Sequence, residues 1–265
     1  MNEAAARQAT NHPDLPPFFQ LVALESTEST SNEVEVRAQA GASEGLLVWA
    51  RQQTKGRGRQ GRHWESPSGN LYCSLLLRPE VETAKAAELG FVAGVAVRDC
   101  VASLFSKEQT VRCKWPNDIL VGQSKIAGIL LEATVQERGT RVIVGIGVNL
   151  VNHPLETSYP ATDLRSQGAA TADPARVLER LAGSLLRWRE VWLTEGFGAI
   201  RRTWLEHAAG LGEDISVRLP DQTLVGKFES IDERGALELL LPGGEMHIVT
   251  AGDVFLNQPA MKTSG

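Results

Sequence analysis

The glycine- and arginine-rich segment at residues 53–64, QTKGRGRQGRHW, constrains the fold more than any other part of the chain. Three glycines alternate with three arginines between positions 56 and 62. Glycine adopts φ > 0 and lets backbone N–H groups approach a ligand closely, and arginine offers a planar fork of donors suited to phosphate or carboxylate. The segment therefore predicts an anion-binding loop, with a solvated basic loop as the alternative for such a run taken alone. Gln53 adds a polar group, and Trp64 adds a flat surface that could stack on a ring.

Two other motif matches in this region are rejected on their context. The glycines at 56–61 fit the letters of the dinucleotide-binding fingerprint, which requires a following helix. Turn residues follow instead at 66–70, and the apolar run 71–77 reads as a strand. The nucleophile-elbow letters at 41–45 fall between a helix-like run and a strand-like run, the reverse of the order that the elbow requires. Ser43 is therefore interpreted as a turn residue.

Composition is that of a soluble globular protein. The chain of 265 residues carries a formal net charge of −5, whereas a general nucleic-acid binder is more often basic. A local basic loop on an acidic chain suits a small anionic ligand better than a long polyanion. Cys73, Cys100 and Cys113 are far apart and lie in apolar runs, which indicates buried thiols of a cytoplasmic protein. The sequence shows neither a secretory signal nor an apolar run of about 18 residues that could span a membrane.

Apolar periodicity divides the chain into two parts. Up to Gly210 it predicts helices over 32–40, over 86–107 and from Asp173-Pro174 onward, and strands over 46–51, 71–77, 111–115, 119–121, 125–135 and 141–150. After Gly210, four short β-type runs at 215–219, 223–231, 236–241 and 246–250 predict a small β-barrel. We expect a tail at 1–16, a large domain at 17–210, a barrel at 211–256 and a tail at 257–265.

The helix after Pro174 has an apolar stripe that could serve as a partner face, although at this spacing such a stripe is more often core. Its members are Leu178, Leu181, Leu185, Trp188 and Trp192.

Three further polar clusters stand at strand ends. Residues 114–118, KWPND, combine a lysine, an aromatic ring and two turn-forming residues, and strand-plus-turn geometry accounts for all but Lys114. Lys125 opens the apolar run 125–132, where it is either a surface cap or a charge on a pocket floor. In residues 145–149, GIGVN, the glycines permit close approach of a ligand, and Asn149 either binds that ligand or begins a turn.

Taken together, four blocks resemble biotin–protein ligase. They are Q-x-x-G-R-G-R-x-G-R-x-W at 53–64, K-W-P-N-D at 114–118, K-I-A-G-I-L at 125–130 and G-I-G-V-N at 145–149. Four separate blocks in the family's order are far more specific than any single motif. The likeness spans residues 21–256 and leaves no room for an N-terminal winged-helix DNA-binding domain, so the chain resembles the short, non-repressor type.

The resemblance implies an α+β fold, with a mixed-sheet catalytic domain like that of class II aminoacyl-tRNA synthetases and biotin–lipoate ligases, plus the small C-terminal β-barrel. It implies that biotin and Mg·ATP react to biotinyl-5′-AMP and pyrophosphate. A lysine amine of a biotin carboxyl carrier domain, such as that of acetyl-CoA carboxylase, then attacks the mixed anhydride. No nucleic acid or membrane is expected as a partner, and a homodimer is left open.

The resemblance also assigns site residues. Those for biotin are Ser29, Thr30, Ser31, Gln53, Arg57, Gly58, Arg59 and Lys125. Those for ATP are Gly56, Arg59, Arg62, Trp64, Asn117 and Asn149. Catalysis is assigned to Arg57, Arg59, Lys125 and Lys114, and Mg²⁺ binding to Asp118.

The sequence departs from the family pattern in the two loops. Ser26-Thr27 precedes the run 29–32, so the register of the biotin loop is ambiguous by one residue. Gln60 stands where the family often has an arginine, and His63 is expected to face solvent. Three alternatives are left open. The first is a lipoate–protein ligase, a family that does not have this Gly-Arg-Gly-Arg loop. The others are a biotin-sensing regulator that binds nucleic acid and a binding module without activity.

Overall fold

The computed structural model describes residues 13–107, 109–157 and 159–256. Most of the predicted tail 1–16 and all of the tail 257–265 lie outside these residues. The described part contains a seven-stranded and a five-stranded sheet.

The larger sheet follows the order β1-β2-β3-β7-β6-β5-β4. Its strands are β1 (Gln20–Leu24), β2 (Leu46–Ala50), β3 (Leu71–Leu77), β4 (Val111–Lys114), β5 (Asp118–Val121), β6 (Ser124–Val135) and β7 (Thr140–Val148). β1 and β2 are parallel, and the remaining neighbours are antiparallel, so the predicted mixed sheet is confirmed. Every residue of β2 and β3 is buried, because helices cover both faces of the sheet.

The helices are α1 (Thr30–Gln39), α2 (Thr83–Ala86), α3 (Leu89–Ala102), α4 (Pro174–Glu195) and α5 (Phe197–Glu206). α1 packs on one face of the sheet through Val34 and Ala38. α3 packs on the other face and is itself covered by α4 and α5.

Capping residues fix the bounds of α4. The Asp173 carboxylate accepts a hydrogen bond from the Ala175 N–H at 3.1 Å, and Pro174 occupies the first turn, both of which favour a helix start. Gly196 ends the helix with φ 76°, a conformation that suits glycine. The apolar stripe of α4 is buried, so its interpretation as core is confirmed.

The C-terminal sheet is antiparallel and follows the order β11-β10-β9-β8-β12. Its strands are β8 (Asp214–Arg218), β9 (Thr223–Ile231), β10 (Leu237–Leu240), β11 (Met246–Val249) and β12 (Asp253–Leu256). The four predicted strands are confirmed, and β12 is a fifth that the sequence did not indicate. Because β11 and β12 are the two edges, the ladder of the described residues is open rather than a closed barrel.

Differences from prediction are otherwise small. The helix expected over 86–107 is α3, which ends at Ala102 because the chain then turns and the Ser103 hydroxyl donates to the Cys100 carbonyl at 2.7 Å. The elements β1 and α5 were not predicted. The strand at 71–77 that argued against a dinucleotide fingerprint is confirmed as β3.

Candidate active site

A cavity of about 790 Å³ opens between the larger sheet, the arginine loop at 56–64 and the β12 edge of the smaller sheet. All four sequence blocks contribute to its lining, together with the N-terminal turn of α1. The structure therefore brings the predicted site residues other than Gly56 into one place, although they are spread over more than a hundred positions of the chain.

Hydroxyl and amide groups line the end of the cavity next to α1. The Gln53 Oε1 accepts hydrogen bonds from the Thr30 N–H at 2.9 Å and the Thr30 hydroxyl at 3.1 Å. The Gln53 Nε2 donates to the Ser66 hydroxyl at 2.9 Å. Ser29, Thr30 and Ser31 line the cavity, whereas Ser26 and Thr27 do not. Of the Ser-Thr run, residues 29–31 are therefore the part that lines the cavity.

Arginines of the loop also line the cavity. The Arg59 guanidinium contacts the Asn117 Oδ1 at 3.3 Å and the Gly252 carbonyl at 3.4 Å. Burial lowers the pKa of Arg59, while the charges of Asp253 and Asp118 oppose this effect, and a guanidinium remains charged at neutral pH. Arg62 forms an ion pair with Asp253.

Gln60 and Arg57 are held by neighbouring side chains. The Gln60 Oε1 accepts a hydrogen bond from Arg62 at 2.8 Å, so the residue that departs from the family pattern orients an arginine. Arg57 contacts Asn32 at 2.9 Å and Glu132 at 3.0 Å, and its side chain is half-exposed.

A buried carboxylate joins two lysines at the centre of the cavity. The Asp118 Oδ1 lies 2.5 Å from the Lys125 Nζ, and its Oδ2 lies 3.3 Å from the Lys114 Nζ. Burial raises the pKa of Asp118, but the positive charges of Lys125 and Lys114 outweigh it and leave the pKa below its usual value. Burial lowers the pKa of Lys114, and Asp118 partly restores it. The Lys125 ammonium therefore lies in the cavity rather than capping the surface.

The Trp64 indole lies on a floor made by two glycines. Gly128 and Gly147 are paired across β6 and β7, and a Cβ atom at Gly147 would lie 2.6 Å from the Trp64 Nε1. The Lys125 ammonium lies 5.2 Å from the centre of the same ring. Only glycine leaves room for the indole at this distance, which explains Gly147 in β7 and Gly128 in β6.

We expect Gly147→Ala to displace Trp64 and to destabilise the protein by about 1–3 kcal/mol, the usual cost of overpacking. Gly183→Ala is the matched control, because a Cβ atom there meets nothing within 4 Å and alanine favours a helix. Thermal melting and tryptophan fluorescence of both variants check this. Unchanged melting and fluorescence in Gly147→Ala would show that the indole does not depend on the glycine floor.

Comparison with known proteins places the chain in a family. Residues 23–149 match the model of the biotin/lipoate A/B protein ligase family, and residues 210–257 match that of the biotin protein ligase C-terminal domain. The chain is 38% identical to the biotin–[acetyl-CoA-carboxylase] ligase of Paracoccus denitrificans, over 88% of this chain and 98% of that protein. The chain belongs to the biotin protein ligase family.

Solved structures of biotin protein ligases share its fold. The Aquifex aeolicus ligase in complex with biotin and ATP matches with a TM-score of 0.77 and 27% identity, covering 91% of this chain and 99% of that chain. The Leishmania major ligase in complex with biotinyl-5-AMP matches with a TM-score of 0.63 and 26% identity, covering 89% and 100%. The α+β fold and the family resemblance predicted from the sequence are thereby confirmed.

Three residues that the resemblance assigns to ATP binding also stabilise the fold around the cavity. Gly56 does not line the cavity; a Cβ atom there would lie 2.4 Å from the Trp64 carbonyl oxygen, so glycine lets the loop close on itself. The Asn149 Nδ2 donates to the Thr162 carbonyl at 3.0 Å, and the Asn117 Nδ2 donates to the Ile129 carbonyl at 2.6 Å. Both amides fix neighbouring segments while lining the cavity.

Sequence reasoning missed several residues of this biotin ligase site. The Tyr159 ring lies 4.4 Å from the Lys114 Nζ, and burial together with the Asp118 charge raises the pKa of Tyr159 to about 12. Gly252 and Asp253 hold the arginine loop from the second sheet. These residues lie outside the four blocks, and no local pattern marks them. His63 is exposed, as expected.

The remaining sequence-level expectations concern thiols and membranes. Cys73, Cys100 and Cys113 are buried free thiols, as predicted, and burial raises the pKa of each to about 12. Among the described residues, no helix is both long enough and apolar enough to span a membrane.

Proposed function

We propose that the chain activates biotin with ATP as biotinyl-5′-AMP and transfers the biotinyl group to a lysine of a biotin carboxyl carrier domain. The observation that carries this proposal is the lining of one cavity, which combines neutral hydroxyl and amide groups with cationic groups. Biotin has a neutral ureido head and an anionic carboxylate, and ATP is polyanionic. The two kinds of lining group match these two chemistries.

In the first step, a biotin carboxylate oxygen attacks the α-phosphate of ATP and pyrophosphate leaves. Negative charge builds on the phosphoryl oxygens, and cations placed beforehand stabilise such a transition state strongly. Lys125 and Arg59 supply that charge in this proposal, and Lys114 supports it from behind Asp118. Trp64 covers the acyl chain or the adenine ring from the glycine floor.

In the second step, the neutral amine of the carrier lysine attacks the acyl carbon, AMP leaves with the electrons of the broken C–O bond, and the nitrogen releases a proton to solvent. No side chain of the protein forms a covalent intermediate. The relatives named as acetyl-CoA-carboxylase ligases support a carboxyl carrier as the acceptor.

Asp118, predicted from the resemblance as a Mg²⁺ ligand, has an ammonium group against each oxygen. Among the described residues, no group of three or more His, Cys, Asp or Glu side chains could hold a metal ion. The side chains do not fit a dedicated magnesium site, so we derive no step from the metal. Mg²⁺ commonly binds through nucleotide phosphates with few protein ligands.

We propose a catalytic domain over 17–210 and a C-terminal domain over 211–256 that completes the cavity through Gly252 and Asp253. Buried free thiols support the predicted cytoplasmic location. Light scattering of the purified protein tests whether it forms a homodimer.

Pyrophosphate release tests the proposal. Incubation with biotin and Mg·ATP is expected to release pyrophosphate without any carrier, and a streptavidin blot is expected to show biotin on a carrier domain only when ATP is present. Folded protein without biotin-dependent pyrophosphate release would overturn the proposal. Release with lipoate instead of biotin would establish the alternative ligase.

Arg59→Gly is expected to weaken retention of the adenylate, because a charged hydrogen-bond donor contributes about 1.5–3 kcal/mol. Escaped biotinyl-5′-AMP would then label lysines of a bystander protein such as serum albumin, which a streptavidin blot detects. Arg138→Gly is the control, since Arg138 is exposed and does not line the cavity. Full activity of Arg59→Gly with no bystander labelling would show Arg59 to be only a surface charge.

A further inference from the structure

Ser74 is a buried hydroxyl in the middle of β3, on the sheet floor behind the Ser-Thr run. Its Oγ lies 2.8 Å from the Thr30 Oγ1 and 3.0 Å from the Ser31 Oγ. Thr30 and Ser31 line the cavity, whereas Ser74 does not. Ser74 therefore acts on the cavity through these two residues.

The direction of each hydrogen bond among Ser31, Ser74, Thr30 and Gln53 follows from the hydrogen bond that Ser66 makes beyond Gln53. The Ser66 hydroxyl donates to the Trp64 carbonyl at 2.9 Å, so Ser66 must accept from the Gln53 Nε2. The Gln53 Oε1 then faces Thr30 and accepts from its N–H. Since an amide oxygen can only accept, the 3.1 Å contact of the Thr30 hydroxyl with the same oxygen requires Thr30 to donate.

The remaining protons are then fixed in sequence. A hydroxyl has one proton to donate, and that of Thr30 is committed to Gln53. Ser74 must therefore donate to Thr30, and Ser31 must donate to Ser74. One order results, Ser31 to Ser74 to Thr30 to Gln53, and it leaves the Ser31 oxygen with lone pairs and no free proton toward the cavity.

We infer that Ser74 is a specificity-determining positioning residue, which fixes the Ser31 and Thr30 hydroxyls as acceptors and so selects ligand heads that offer N–H donors. This inference rests on the proposed function, because the two ureido N–H groups of biotin are such donors. A dithiolane head, the head group of lipoate, has no N–H donor and leaves these acceptors without a partner, which is costly. A site built to pair with an N–H rejects the analogue that lacks it more strongly than shape alone does.

Binding of biotin and of biotin methylated on both ureido nitrogens, measured by calorimetry, tests the inference. Ser74→Ala frees the Ser31 proton, so biotin binding is expected to weaken about tenfold, the equivalent of one lost hydrogen bond. The preference for biotin over the methylated analogue is expected to narrow by a similar factor. Ser74→Cys keeps a side chain of similar size with a weak S–H donor and is expected to fall between wild type and Ser74→Ala.

Thr140→Val is the matched control, because Thr140 is also buried in this sheet and its hydroxyl donates to the Val81 carbonyl at 2.8 Å, away from the cavity. The Thr140→Val variant loses a comparable hydrogen bond and is expected to keep the wild-type affinity for biotin and for the methylated analogue. The affinity for ATP is expected to be unchanged in all three variants.

The outcomes separate the two proposals. A Ser74→Ala variant that folds and keeps the wild-type preference for biotin would overturn the role of Ser74. If Ser74→Ala and Thr140→Val both bind biotin and the methylated analogue more weakly by the same factor, Ser74 contributes to stability and not to specificity. Wild-type protein that binds biotin without releasing pyrophosphate would overturn the proposed reaction alone, whereas failure to bind biotin at all would overturn both.

Discussion

Lys125→Ala is expected to slow biotinyl-5′-AMP formation by about 100- to 1,000-fold, the usual effect of removing a group that stabilises transition-state charge. The Lys125 Nζ lies 2.5 Å from Asp118 in the cavity, and its side chain is 26% exposed. The unliganded protein should therefore lose only about 1 kcal/mol, since ion pairs with access to solvent contribute little. Biotin-dependent pyrophosphate release and thermal melting measure the two effects.

Two further variants sharpen this test. Lys125→Arg is expected to fail as well, because a planar guanidinium is wider than an ammonium and the Trp64 ring and Asp118 leave little room. Lys85→Ala, at an exposed position of α2, is the control and should keep wild-type activity. If Lys125→Ala melts far below wild type but keeps its turnover at low temperature, Lys125 is structural rather than catalytic.

Asp118→Asn is expected to lower the free energy of unfolding by about 3–5 kcal/mol, because it leaves the buried Lys114 ammonium without its counter-charge. Lys114 is the more affected, since its side chain is only 7% exposed. Urea unfolding at neutral pH measures the change, and Asp221→Asn, at an exposed turn, is the control. A loss no larger than that of the control would show that the two ammonium groups are solvated or already neutral.

The same variant has a predictable pH dependence. The two lysines hold the pKa of Asp118 below its usual value in the folded protein, so the unfolded chain takes up a proton first as pH falls. The stabilisation by Asp118 is complete above its unfolded pKa of about 3.9 and is lost as pH falls through the lower folded value. The difference in stability between wild type and Asp118→Asn should therefore shrink below about pH 4.

Local sequence patterns identified the parts of the fold that depend on neighbours along the chain. The strand at 71–77 is apolar apart from Ser74 and is β3 over the same residues, and Asp173-Pro174 marks the start of α4. β1 was missed because it is an edge strand with two exposed residues and no regular alternation. β12 was missed because its start, Gly252-Asp253, reads as a turn.

The residues of the candidate site also divide into those that local patterns predicted and those that only the tertiary structure brings together. The glycines and arginines at 56–62 marked an anion-binding loop on their own chemistry. No local rule could have shown that Lys125 and Lys114 share Asp118, because those contacts depend on the register of β4, β5 and β6. Tyr159 and Ser74 enter the site only through tertiary packing, from a loop and from the sheet floor.

The ion pair between the arginine loop and the second sheet makes that sheet compete with anionic ligands for the loop. Arg62 holds the Asp253 carboxylate through one guanidinium nitrogen, and a phosphate that took the same nitrogen would have to replace the carboxylate. By reciprocity of linked equilibria, a change that tightens the hold of β12 on Arg62 weakens the affinity of Arg62 for an anion by the same factor. The C-terminal sheet thereby sets the strength with which the loop can bind charge, although none of its strands carries one of the four sequence blocks.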